Sequence, residues 1–147
     1  MTISTPPAKT VAIANQKGGV GKTTTSINLA AALAKKKKKV LLVDSDPQGN
    51  ASSGVGVKTK KLDKHLYHAY TNDSSGLNTL DFVVDTAYKK LSVLPSNIDL
   101  VAAEIELVDV DSREFRLKKT LASLTDHFDY IIVDCPPSLG LLTVNAL

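Results

Sequence analysis

The chain has 147 residues, 43% of them hydrophobic and 22% charged, the make-up of one soluble globular domain with room for a real core but not for two comfortable ones. Its net charge of +3 is local, because Lys35 to Lys39 supply five positive charges and the rest of the chain sums to −2. Only Arg113 and Arg116 among the 18 basic residues are arginines, so charge gives no argument for a nucleic-acid groove, and the single cysteine, Cys135, excludes an intramolecular disulfide and any cysteine-built zinc or iron-sulfur site.

No stretch approaches the roughly 18 unbroken apolar residues of a membrane span, and "MTISTPPAKT" lacks the apolar centre of a signal peptide, so a cytoplasmic protein is expected. Residues 1–9, with Pro6 and Pro7 adjacent, read as a flexible lead-in, and 10–147 as the folded unit. "TVAIAN" (10–15) predicts a short strand. "NQKGGVGKTTTS" (15–26) follows, with three glycines and two lysines in a dozen residues. Across 22–38, Ile27, Ala30, Ala31 and Ala34 recur at helical spacing and Leu29 and Leu33 lie four apart, which predicts a crossover helix. Its lysine-rich end faces the negative pole of the helix dipole and reads as a solvated turn. A turn from helix to strand normally places glycine near position 37, where φ is positive; a lysine there costs about 1 kcal/mol.

"KVLLVDSD" (39–46) and "DYIIVDC" (129–135) are near-continuous apolar runs, the signature of strands buried on both faces of a parallel sheet. Between them, 61–70 predicts an amphipathic helix whose His65 and His68 read as surface residues, since no carboxylate or cysteine arrangement completes a metal set. "LSVLPS" (91–96) predicts a short strand and 97–108 a helix. Residues 112–124 predict another, with Ser112 as N-cap and a face of Phe115, Leu117, Leu121 and Leu124. Cys135 reads as a small buried apolar residue. The fold class is α/β, a mostly parallel sheet with helices on both faces. Its strands end in Asn15, in Asp44 and Asp46, and in Asp134; because open α/β sheets hold ligands beyond the carboxyl ends of their strands, these acids are expected around one site.

"GVGKTT" has the glycine, lysine, hydroxyl ending of a phosphate-binding loop and stands between a predicted strand and a helix. Gly18, Gly19 and Gly21 let backbone N–H groups turn inward around phosphate oxygens, and the helix start adds its positive dipole end. Lys22 neutralises β and γ phosphates, and the Thr23 hydroxyl is placed to ligate Mg²⁺. The general pattern has glycine at position 16; here Gln16 stands there and a second lysine, Lys17, follows.

"KGGVGKTT" resembles the deviant Walker A motif of the ParA/MinD class of ATPases. "VLLVDSDPQGNASSG" (40–54) and "DYIIVDCPPSLGLLTVNAL" (129–147) are similar to motifs of its partition branch, the ParA or Soj proteins, and "LPSNIDLVAAEIELV" (94–108) also resembles them. The resemblance implies a P-loop fold and an Mg²⁺-dependent ATPase that dimerises on binding ATP, with a ParB-like partner and non-specific DNA, in chromosome or plasmid partition. It gives Lys17 the role of a lysine lent across the dimer to the partner's phosphates, and Asp46 that of orienting the attacking water. The catalytic residues it implies are Lys17, Lys22 and Asp46. The nucleotide contacts are Lys17, Gly18, Gly19, Val20, Gly21, Lys22, Thr23 and Thr24, and the Mg²⁺ set is Thr23, Asp46 and Asp134, with Asp44 near the metal's shell. Ser45 stands where the family commonly has an apolar residue, for which a mild packing change is expected.

Family members continue past position 147, so the resemblance implies a fragment whose missing half supplies the adenine contacts, much of the dimer surface and the DNA-binding residues. If the phosphate-loop strand is central in the full sheet, it is expected at an edge here. The other readings are a nucleotide-binding or subunit-pairing module without turnover, and a MinD-like cell-division ATPase, which would need a C-terminal amphipathic membrane helix. Localisation is expected to be cytoplasmic and nucleoid-associated.

Overall fold

The computed structural model describes residues 6–71 and 78–147; residues 1–5 of the expected lead-in lie outside the described residues. Five strands form one sheet: β1 (Lys9–Ile13), β2 (Val40–Asp44), β3 (Val84–Asp85), β4 (Leu91–Leu94) and β5 (Tyr130–Asp134), in the order β1-β5-β2-β4-β3. All pairings are parallel except that of β3 with β4. The short antiparallel β3 carries no alternation for sequence reasoning to find. The edge expected for the phosphate-loop strand is present, since among the described residues β1 pairs only with β5.

The pleat divides the core in two. Val40 and Leu42 of β2 and Ile132 of β5 point to one face, where Ala30 and Ala34 of α1 (Lys22–Lys35) and Ala51 of α2 (Asn50–Gly54) cover them. Leu41, Val43, Ile131 and Val133 point to the other, against α3 (Leu66–Thr71), α4 (Leu100–Glu106), α5 (Arg116–Ala122) and α6 (Leu141–Ala146). The sheet is thus covered on both faces, as the apolar runs require. Small alanines on α1 let that helix lie close over the sheet. Among the described residues no helix is long and apolar enough to cross a membrane.

Three predicted helices are shorter than expected, 97–108 being realised only as α4. Residues 61–70 supply only the end of a 3₁₀ turn (Thr59–Lys61) and most of α3, which begins at Leu66. His65 therefore precedes the helix and is buried, 2% exposed, with its ring 4.4 Å from that of His68 and its Nε2 3.0 Å from Asn97 Nδ2. It is not a surface histidine, and burial, followed by the His68 charge, lowers its pKa. In the third, Ser112 has a positive φ of 57° and makes no side-chain cap. α5 starts four residues later, so Leu117, Leu121 and Leu124 are buried while Phe115 faces outward. Lys37 does adopt the left-handed turn, with φ 64°. Ser45 is fully buried, and its hydroxyl has no geometrically satisfied hydrogen-bond partner among the described residues.

Candidate functional site

The connection from β1 to β2 passes over β5, which lies between them in the sheet. The first turn of α1 therefore comes down on the carboxyl end of β5, and the register sets Asp134 beside both Ile13 and Asp44. Three strand ends and the glycine loop meet there by topology, as the rule for open α/β sheets predicts.

The Thr23 hydroxyl donates to Asp134 Oδ2 at 2.7 Å. Ser26, one turn further along α1, donates to Asp134 Oδ1 at 2.9 Å. Asp134 is fully buried, and its pKa is raised by burial against the opposing effect of these two hydroxyls; the Asp46 charge raises it further and Lys22 lowers it. Lys22 Nζ donates to the Lys17 carbonyl at 2.9 Å, across the loop between them. That contact uses one of the ammonium's three donors and leaves two for a ligand. Gly19 and Gly21 have φ of 69° and 88°, and a Cβ on either would stand in open space, so the backbone angle is what demands glycine.

A cavity of about 260 Å³ opens above this floor. Of the predicted set, Gly18, Gly19, Gly21, Lys22, Thr23, Thr24 and Asp46 line it, joined by Gln48, Asn50 and Pro137. Asp134 lies beneath, behind Thr23. Val20 is 45% exposed and outside the lining, and the exposed Lys17 has its N–H held by Asn15 Oδ1 at 2.9 Å without itself lining the cavity. A larger cleft of about 560 Å³ runs beside the β1 edge, lined mainly by apolar side chains of α5 and α6. Lys22 and Asp46 line the smaller one, which is the better candidate for chemistry.

Asp44 does not face the cavity. It is fully buried, accepting the N–H and hydroxyl of Ser52, and burial pushes its carboxyl up to about 6. Its oxygens are occupied from within, while the register keeps it beside Asp134. Cys135 is buried as expected, its thiol pushed up to about 11 by burial and then by Asp134, which leaves it unreactive. Among the described residues no group of three His, Cys, Asp or Glu side chains could hold a metal. Thr23, Asp134 and Asp46 fit a hard cation only if a ligand's oxygens complete the coordination, which is how Mg²⁺ is commonly held. Sequence reasoning missed Ser26 and Ser52. Ser26 was findable, since it lies three residues after Thr23 on the same helix face.

Residues 8–147 match the model of a family described as "AAA domain". The chain is 53% identical over 139 residues to the sporulation initiation inhibitor protein Soj of Bacillus subtilis, covering 95% of this chain and 54% of that protein. It is 53% identical over 137 residues to the chromosome partitioning protein ParA of Myxococcus xanthus, covering 93% and 47%. The chain belongs to this AAA-domain family, in its ParA/Soj branch. It spans about half the length of these ParA/Soj relatives. A solved structure described as cobyrinic acid a,c-diamide synthase from Mycobacterium smegmatis, with a bound ATP analog and magnesium, superposes with a TM-score of 0.90 at 43% identity, covering 95% of this chain and 56% of that one. The ParA/Soj chain thus has the P-loop architecture that its strand ends and glycine loop imply.

Proposed function

We propose that residues 10–147 form the nucleotide-binding unit of an Mg²⁺-dependent ATPase of the ParA type, whose ATP-bound dimer serves chromosome or plasmid partition with a ParB-like partner and non-specific DNA. The observation that carries this reading is the convergence of the glycine loop, Lys22, the Thr23–Asp134 pair and Asp46 on one small cavity. Loop amides and Lys22 bind the phosphate chain. Thr23, Asp46 and Asp134 hold Mg²⁺, which supplies charge neutralisation on the phosphate oxygens. Asp46 orients the attacking water. Lys17, exposed and outside its own cavity, reaches the phosphates of a second copy, an effect of the size of an arginine finger, about 10³ to 10⁵ in rate. Dimerisation then gates hydrolysis.

The test compares the chain with Lys22→Ala, Asp46→Ala and Lys17→Ala by fluorescent-ATP titration, sedimentation and phosphate release. Lys22→Ala is expected to lose binding. Asp46→Ala keeps binding and loses turnover. Lys17→Ala keeps binding and loses both turnover and the ATP-dependent dimer. Three variants indistinguishable from the parent would refute the mechanism. Binding without turnover in the parent would favour a nucleotide-binding module that pairs or signals without hydrolysis.

A further inference from the structure

Asp46 is a cavity residue whose carboxylate orientation depends on a loop, and that loop is tied down by groups outside the cavity. Asp44 Oδ1 accepts the N–H of Asp46 at 3.2 Å, and Asp44 Oδ2 accepts the N–H and the hydroxyl of Ser52 at 2.8 and 2.6 Å. The Ser52 oxygen in turn accepts the N–H of Ser96 at 3.2 Å. Asp44, Ser52 and Ser96 are all fully buried. Asp46 closes the loop on itself, its Oδ1 accepting the Gln48 N–H and its carbonyl the Gly49 N–H, each at 2.9 Å. The ends of β2 and β4 and the first turn of α2 are thereby joined through one serine hydroxyl.

We propose that Ser52 is a positioning residue for Asp46: through Asp44 it fixes where the Asp46 carboxylate meets the cavity, and through Ser96 it references that position to the end of β4. The inference rests on the ATPase reading above. Removing the hydroxyl leaves Asp44 Oδ2 with a single donor and takes from the Ser96 N–H its acceptor. The lost bond is short and charge-assisted, the strong class of hydrogen bond, so the Asp44 carboxylate gains freedom that passes to the Asp46 N–H it holds. Reaction geometry is sensitive at this scale, a 1 Å displacement costing about 10²-fold in rate. The phosphate loop shares none of these bonds, so metal-free nucleotide affinity stays with Gly18 to Thr24.

The experiment measures Mg²⁺-ATP turnover, metal-free fluorescent-ATP affinity, Tm and amide hydrogen exchange on the 147-residue chain and Ser52→Ala. Ser52→Ala is expected to lower kcat about tenfold with metal-free fluorescent-ATP affinity within twofold of the parent, and to speed exchange at the Asp46 and Ser96 amides at least tenfold. Unchanged kcat, a loss carried by KM alone, or unchanged exchange at Asp46 overturns the proposal. If Ser52→Ala does not fold, isosteric Asp44→Asn carries the same expectations. A parent that binds no nucleotide refutes the ATPase reading instead, and the exchange arm alone then decides whether Ser52 holds Asp46 in place.

Discussion

Lys37 gives the sharpest quantitative handle on the fold. α1 ends in a Schellman motif, with the Lys38 N–H on the Leu33 carbonyl at 3.2 Å and the Lys37 N–H on the Ala34 carbonyl at 2.9 Å. This places Lys37 in the left-handed region at φ 64°, which costs an L-residue about 1–2 kcal/mol. Lys37→Gly removes that strain but returns about 0.4–1 kcal/mol through the freer unfolded chain, for a net gain of about 0.5–1 kcal/mol. At about 2.1 cal/mol/K of unfolding entropy per residue, a chain of this length gains about 2–3 °C in Tm. Charge is the confounder, because Lys37 sits in a run of five lysines and Lys90 Nζ already donates to the Lys37 carbonyl at 3.0 Å. Lys37→Ala removes the charge and keeps the Cβ, so it isolates that contribution. Urea and thermal unfolding followed by circular dichroism should rank Gly above Ala, with Lys37→Asn between them. If Ala gains as much as Gly, or Gly falls below the parent, backbone strain is not what this turn stores.

Gly49→Ala is expected to cost about 2–4 kcal/mol, since it combines φ 66° with a Cβ 2.8 Å from the Ser96 carbonyl oxygen; Gly19→Ala, with nothing within 4 Å, should cost only about 1, and equal losses in urea unfolding would refute the clash. Asp44 holds its proton more tightly when folded, to about 6 against 3.8 unfolded, so the stability it contributes is complete below about pH 4 and is lost as pH rises to 6. About 3 kcal/mol should disappear over that window, and Asp44→Asn should flatten the slope of urea midpoints between pH 4 and 7; an unchanged slope would assign it elsewhere. Val11, 38% exposed on the edge strand β1, adds apolar surface to that edge, and Val11→Lys should reduce light scattering in concentrated solution without lowering Tm.

What was legible in the sequence follows from physical range. The runs at β2 and β5 could be read because a strand buried on both faces must be apolar at every position, and α1 because its alanines repeat with the helix. The gathering of Asp46 and Asp134 followed from a topological rule that needs only strand ends. Asp44 and Asp46 could not be told apart in this way. They lie two residues apart, but the chain leaves the sheet between them, so the pleat no longer dictates which carboxylate turns inward. The choice is made by Ser52, eight residues after Asp44, on a five-residue helix too short to announce itself and held by the burial of Ala51 and Val55. His65 is unreadable for a related reason: it lies before α3 and meets the Asn97–Asp99 loop of a distant segment, which helical periodicity does not report.

The charge arrangement of the site bears on its order of assembly. Asp134 is buried, and its ionised form is opposed by that burial and by Asp46, against the support of Thr23, Ser26 and Lys22. Lys22 rests on a backbone carbonyl rather than on either carboxylate. Under the proposed function, a nucleotide arriving without metal would set its phosphates against these acids, and a metal arriving alone would find two carboxylates and one hydroxyl for a coordination sphere of about six. Each ligand relieves the cost that the other meets, so metal and nucleotide should bind as one unit. The floor formed by Thr23, Ser26 and Asp134 is then already in place before either arrives, and the residue left to be positioned is Asp46, whose loop is fixed from behind by Asp44 and Ser52.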